Sequence, residues 1–243
     1  MLSKYVAPGS KLELRAVDRT DQEEEDQKSK KKFYRSQVCD ILSEDQLEIY
    51  MPMEKSKLIL LPINAEYDLY FYTEAGLYQC FANVVDRYKS NNQFVLLMEL
   101  TSNLRKFQRR EYYRLSCALE MSSRPLEKAE IDAVEKSEDY LLPGGALKDS
   151  VIVDISGGGI RFVGDCAYEP ESLIYCKYTL IIDGKAKEYT LVAKILTVRE
   201  LENKPGAFEH RAQYVNINTV DREEIIRFIF EEERKQRKRK KVF

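Results

Sequence analysis

Val153–Phe162 reads V-D-I-S-G-G-G-I-R-F. Two apolar, strand-like runs meet at three consecutive glycines, Gly157, Gly158 and Gly159. Fixing glycine costs backbone entropy, so three in a row between strands call for a tight turn or a close backbone approach. The stretch therefore reads as a strand-turn-strand unit, and the sequence on either side continues in the same way. Leu115–Met121, Ser150–Ile155, Gly159–Val163, Ser172–Ile182, Lys187–Val198 and Phe208–Ile217 are further short β segments. Asp183-Gly184 between Ile182 and Lys185 is a strong hairpin signal, because both positions tolerate positive φ.

The first hundred residues repeat the pattern. Lys11–Val17, Phe33–Leu42, Gln46–Met51, Lys57–Leu61, Glu66–Thr73, Leu77–Val85 and Gln93–Leu100 are short β segments. Ser43-Glu44-Asp45, Gly76 and Ser90-Asn91-Asn92 supply turns between them. Regular short strands without long helical periods predict a mainly β protein of two small β-barrels. Asp21–Lys32, an acidic block running into a basic one, reads as a solvated hairpin loop. Ser122–Asp149 reads as an extended polar loop with a helical turn around Leu126–Glu135. The last element is a C-terminal helix, with Asp221 as N-cap and Glu224 completing a capping box. Its apolar stripe, Ile225, Ile226, Ile229 and Phe230, is expected to pack on the second barrel. Arg234–Lys241 holds seven basic residues in eight and reads as a solvated helix end.

Composition excludes several classes. The 243 residues carry 41 acidic and 39 basic side chains, net −2, unlike a globally basic nucleic-acid coat protein. Apolar runs such as Phe94–Met98 fall far short of the ~20 residues that span a bilayer. Met1–Leu14 has no continuous apolar core of a signal peptide, so a cytoplasmic protein without a membrane span is expected. The five cysteines lack a C-x-x-C pair, which argues against a disulfide framework and a zinc site. About four in five of them are expected to be buried, as free cysteines usually are. His210 is the sole histidine and no G-x-S-x-G turn occurs, so an enzyme ranks last. No metal or cofactor is implied.

The chemistry gathers at two places. Leu104–Arg114, L-R-K-F-Q-R-R-E-Y-Y-R, has five basic residues and one acidic, and divides the two β series. The domains expected are 1–103 and 104–243, with 104–114 as an interdomain switch segment that nothing obvious pins. Guanidinium forks bind phosphate bidentately, read the guanine O6/N7 edge and stack on base faces. Arg109, Arg110 and Arg114 are thus suited to guanine and phosphate together. Asp154 can accept two hydrogen bonds from a guanine edge, and Ser156 can donate to a phosphate oxygen. The plainer alternative is a strand-turn-strand in which Asp154 and Ser156 make only local turn bonds.

Arg109-Arg110-x-x-x-Arg114 followed by Asp154-x-Ser156-x-x-Gly159 resembles the signature of the PilZ domain, a bacterial cyclic di-GMP receptor module. Q-R-R-E-Y-Y-R is similar to the form of the flagellar-brake (YcgR-like) branch. So are H-R-A-Q-Y-V-N-I at His210–Ile217 and the following E-E-I-I-R-F-I-F. Ser36-Gln37-Val38 and Ile49-Tyr50-Met51-Pro52 resemble that branch's N-terminal split barrel. The resemblance implies a non-enzymatic receptor that binds cyclic di-GMP and changes its interdomain arrangement. It further implies regulation of flagellar motility through a stator or rotor protein, at the cytoplasmic base of the motor. Its implied ligand residues are Arg109, Arg110, Arg114, Asp154, Ser156, Gly158 and Gly159, the glycines permitting close backbone approach. The Ser122–Asp149 loop looks larger than the family minimum. The second reading is a nucleic-acid-binding β-barrel, in which Arg105–Arg114 and the basic tail track a phosphate backbone. Against it, exposed aromatics do not interleave with the basic residues; Tyr112-Tyr113 is the exception, and strand neighbours face opposite sides.

Overall fold

Lys11–Ala16 (β1) buries Leu12 and Leu14, and Gln46–Tyr50 (β3) buries Leu47 and Ile49, the alternation that a half-buried strand requires. The computed structural model describes residues 2–17, 33–136 and 145–240. The Asp21–Lys32 loop, Pro143, Gly144 and Lys241 lie outside the described residues. The chain divides into two units, Met1–Arg109 and Arg110–Phe243.

The first unit adds Phe33–Ile41 (β2), a small ribbon of Met53–Glu54 (β4) and Lys57–Leu58 (β5), Glu66–Thr73 (β6), Gly76–Ser90 (β7), Gln93–Leu100 (β8) and Arg105–Lys106 (β9). The strand order is β6-β1-β2-β3-β8-β7-β9, and β6 also pairs with β7, which closes six strands into a ring. The Lys57–Leu61 segment is thus a two-residue strand in a side ribbon. Buried inside the unit, Asp68 accepts hydrogen bonds from Tyr70 Oη (2.6 Å), Gln79 Nε2 (2.6 Å) and Arg15 Nη2 (2.8 Å). Gln79 Oε1 in turn accepts from Arg105 Nε and Nη2 at 3.1 and 3.0 Å, which ties β9 to the barrel.

In the second unit, Leu115–Pro125 (β10), Lys148–Ser156 (β11), Gly159–Gly164 (β12), Leu173–Ile182 (β13), Lys185–Leu201 (β14) and Lys204–Val215 (β15) form a closed barrel. Its order is β10-β11-β12-β15-β14-β13. Asp183 (φ 50°) and Gly184 (φ 75°) make the expected hairpin between β13 and β14. In the Ser122–Asp149 segment the expected helical turn is present and both ends belong to strands, while residues 137–144 lie outside the described residues. β10 continues to Pro125, Lys128–Glu135 is a helix (α1), and β11 begins at Lys148. The polar composition hid the strand end of β10, because its buried polar groups are satisfied inside the fold. Arg124 Nη1 and Nη2 fork onto Glu130 at 2.7 and 2.8 Å, and Glu130 also completes the capping box of α1.

Thr219–Lys240 (α2) starts earlier than expected. Asn218 is the N-cap: its Oδ1 accepts from the Asp221 backbone N–H at 2.8 Å, so Asp221 is the third helical residue. The buried stripe is Ile225, Phe228 and Ile229, whereas Phe230 is 48% exposed. Residue 230 lies about 100° further round the helix than 229, which turns it off the core face. The basic tail through Lys240 is the last part of this helix.

Only Cys80 and Cys176 of the five cysteines are buried: Cys39 and Cys117 sit at half-covered strand positions and Cys166 in the bend after β12. Burial pushes both buried thiols up to about 12, so they stay protonated and unreactive. His210 is fully buried, stacked on Phe162 with ring centroids 4.6 Å apart, and its Nε2 accepts from the Tyr168 N–H at 3.3 Å. It is a core residue. Burial holds its pKa below the usual value, so the folded state binds this proton less readily than the unfolded chain. The stability this represents is present above the unfolded value of about 6.5 and is lost as pH falls below it. Denaturant unfolding between pH 7.5 and 5.5 should therefore show falling stability. His210→Gln should flatten that slope, and an equal slope in the variant would assign it to other groups.

Candidate ligand-binding site

The β11–β12 hairpin carries the second motif. Ser156 and Gly159 are its closing pair, and Ser156 Oγ donates to the Gly159 carbonyl at 3.0 Å. Ser156 thus makes the local turn bond of the plainer alternative. The close approach expected of Gly158 and Gly159 is made by the protein itself. A Cβ on Gly159 would lie 2.1 Å from the Ala212 carbonyl oxygen of β15. Cβ atoms on Gly157 and Gly158 would lie 2.7 and 3.0 Å from the ring of Tyr112. The glycines therefore let β15 pack on one side of the turn and Tyr112 on the other.

Register brings the arginine segment to this turn. Leu115 pairs with Ile155 and Ser116 with Asp154, so the antiparallel ladder sets Arg114, the residue before Leu115, at the level of Ser156. Arg110 and Arg114 are both exposed, and Tyr112 between them rests on Gly157 and Gly158. Arg109 belongs to the first unit, where its Nη1 lies 3.2 Å from Glu13 Oε2 and 3.1 Å from Tyr72 Oη.

The segment is not unpinned. Within the first unit, the Phe107 N–H bonds the Leu77 carbonyl at 2.8 Å and its ring meets Tyr70 at 5.1 Å. Within the second, Tyr112 is held by the glycine turn and by Arg222, whose Nη1 donates to its hydroxyl at 3.0 Å. The mutual repulsion of basic residues is outweighed by these packed aromatic anchors.

Asp154 is mostly covered and paired. Its Oδ2 accepts from Arg161 Nε at 2.5 Å, and Arg161 Nη1 reaches Glu209 Oε2 at 2.7 Å. The hydrogen bond it donates to Asp154, with a further one to Glu209, overcomes partial burial and keeps the Arg161 guanidinium firmly charged. A ligand donor that engages Asp154 therefore meets a carboxylate already oriented by a cation. Arg161 and Arg222 escaped the sequence reading, which took Tyr112 only as an exposed aromatic beside the basic segment. Only Arg161 had a visible signal, standing opposite Asp154 across a hairpin whose turn was legible. A cleft of about 1170 Å³ elsewhere on the barrel, lined by Met121, Asp149, Tyr178 and Lys204 among others, includes none of the candidate residues.

Among the described residues, no three His, Cys, Asp or Glu side chains are grouped to hold a metal ion. No described helix is long and apolar enough to cross a membrane.

Two closed antiparallel β units, the second carrying exposed Arg110 and Arg114 and a glycine hairpin, define a two-barrel protein. Residues 103–231 match the family model of the PilZ domain, and residues 7–99 match the model described as flagellar protein YcgR. With more than half its length in the first match, the chain belongs to the PilZ-domain family, in the arrangement that places a YcgR-type domain before it. The Bacillus subtilis inhibitor of motility MotI/DgrA shares the fold, with a TM-score of 0.72 and 14% identity over 96% of this chain and all of that one. Escherichia coli YcgR in complex with c-di-GMP aligns with a TM-score of 0.47 and 13% identity, over 97% of this chain and 89% of that one. A comparison with curated proteins finds no match.

Proposed function

We propose that this protein is a non-enzymatic cyclic di-GMP receptor of the flagellar-brake type. The observation that carries the reading is the Leu115–Ile155 register, which sets Arg114 at the level of Ser156 in the Asp154–Gly159 hairpin, with Tyr112 resting on its glycines. A dinucleotide with two phosphates and two guanines suits exposed guanidinium forks next to an oriented carboxylate. Membership of the PilZ family supports the same ligand. Arg109, Arg110 and Arg114 bind phosphate and guanine in this reading, and Asp154 takes a guanine edge. Ser156, Gly158 and Gly159 act mainly by shaping the hairpin.

The domains are 1–103 and 104–243, and 104–114 is the switch segment. Ligand contacts favour one interdomain arrangement, a population shift that needs a difference in affinity between states. The output is regulation of motility through a stator or rotor protein at the cytoplasmic side of the motor. The description of the N-terminal match and the name of the Bacillus subtilis relative support it.

Calorimetric titration with cyclic di-GMP, run beside single-stranded DNA at two salt concentrations, tests the receptor reading. Saturable cyclic di-GMP binding that persists at the higher salt is expected. Binding of DNA alone, weakening steeply with salt, would replace it by the nucleic-acid reading. The switch is tested by small-angle scattering, and profiles identical with and without bound ligand would refute it.

A further inference from the structure

We infer that Tyr112 and Arg222 are positioning residues for the ligand arginines, an inference that rests on the receptor reading above. Helix α2 has two working faces. Ile225, Phe228 and Ile229 bury into the barrel. Arg222, Ile226, Phe230 and Glu233, spaced four, four and three residues apart, share a second stripe. That stripe runs along the arginine segment and the glycine turn. The Arg222 guanidinium lies 5.7 Å from the centre of the Tyr112 ring, and its Nη1 donates to the Tyr112 hydroxyl at 3.0 Å. The Ile226 side chain would be 2.9 Å from a Cβ on Gly157. Tyr113 stacks on Phe230 with centroids 6.4 Å apart, and a hydrogen bond to Glu233 raises the pKa of its hydroxyl. Gln236 Nε2 reaches the Ser116 carbonyl at 3.4 Å.

Both tyrosines between Arg110 and Arg114 are thus fixed on α2, although adjacent residues of a strand would face opposite ways. The reason is local: Glu111 and Tyr112 form a bend, and residues 113 and 114 follow without strand pairing before β10. Arg222 Nε is buried with no hydrogen-bond partner, a cost accepted in holding the guanidinium against the Tyr112 ring. With its middle held on α2 and the glycine turn, the segment presents exposed Arg110 and Arg114 from an ordered backbone. Ligand then binds without first ordering that backbone, which is how preorganisation raises affinity.

The test compares the wild-type protein with Tyr112→Phe, Tyr112→Ala, Arg222→Gln and Arg222→Lys. Cyclic di-GMP affinity is measured for each, with amide exchange at Arg110–Arg114 in the ligand-free proteins and the melting temperature. Tyr112→Ala is expected to weaken binding about tenfold or more and to speed exchange across the segment, because the anchoring ring is gone. Tyr112→Phe keeps the ring on the glycines and should lose only a few-fold in affinity. Arg222→Lys keeps the charge but not the planar geometry, so it should bind as weakly as Arg222→Gln at an unchanged melting temperature. Full affinity in Arg222→Lys would show that charge alone matters and overturn the positioning role. So would wild-type affinity or wild-type exchange in Tyr112→Ala or, should that variant fail to fold, in Arg222→Gln. A wild-type protein that does not bind cyclic di-GMP overturns the receptor reading, and the ligand role of Tyr112 and Arg222 with it. Binding by the wild-type protein with unaffected variants overturns the positioning role alone.

Discussion

Arg114→Ala is expected to weaken cyclic di-GMP binding by about 2 kcal/mol, roughly thirtyfold, because it removes charge-assisted contacts to phosphate or guanine. Arg110→Ala should cost a similar amount. Both side chains are exposed and both flank the tyrosine that docks on the hairpin, so neither contributes much to the fold. Melting temperatures without ligand should stay within a few degrees of wild type. Arg109→Ala is expected to show a smaller loss, since its guanidinium is already shared between Glu13 and Tyr72. Calorimetry on the three variants checks the order. Near-wild-type affinity in both Arg110→Ala and Arg114→Ala would remove the site from this position.

Gly159→Ala is expected to be the most damaging single methyl group that can be added to the second unit. Its Cβ would sit 2.1 Å from the Ala212 carbonyl oxygen and 3.0 Å from the Gln213 Cα. Both are backbone atoms of β15, which is itself paired with β12 through Gly159–Gln213 and Ile160–Ala212. Relief of the clash means breaking that ladder, and a cost of about 3 kcal/mol or more is a large part of a domain's stability. Urea denaturation should show the loss, or the variant should accumulate as insoluble protein. Gly157→Ala makes a useful contrast. The added methyl would meet side chains, Tyr112 and Ile226, which can move. Its stability loss should be smaller, with binding affected more through Tyr112. A stable, well-folded Gly159→Ala protein would refute the close packing of β12 on β15.

Where the sequence alone was decisive, the cause was local and periodic. Glu66–Thr73 and Gln93–Leu100 came out at their observed limits, because turn residues such as Gly76 and Ser90-Asn91-Asn92 mark where β-rich runs start and stop. Asp183-Gly184 was legible because positive φ at two successive positions admits few residue types. The arginine cluster and the glycine run, the two halves of the proposed site, stood out as well, since both are unusual locally. Tertiary structure decided what those residues touch. Ser123 and Arg124 look like loop residues, yet they belong to β10 because Glu130 and Tyr168 satisfy them inside the fold. Gly159 looks like room for a ligand, and β15 fills that room from fifty residues away in the chain. Tyr112 looks incidental between two arginines until α2, more than a hundred residues later, supplies Arg222 to hold it. Period and turn chemistry act over a few residues and are visible in the chain. Partnership between distant side chains exists only once the barrel has closed, which is why the arginines could be found in the sequence and the clamp that holds them could not.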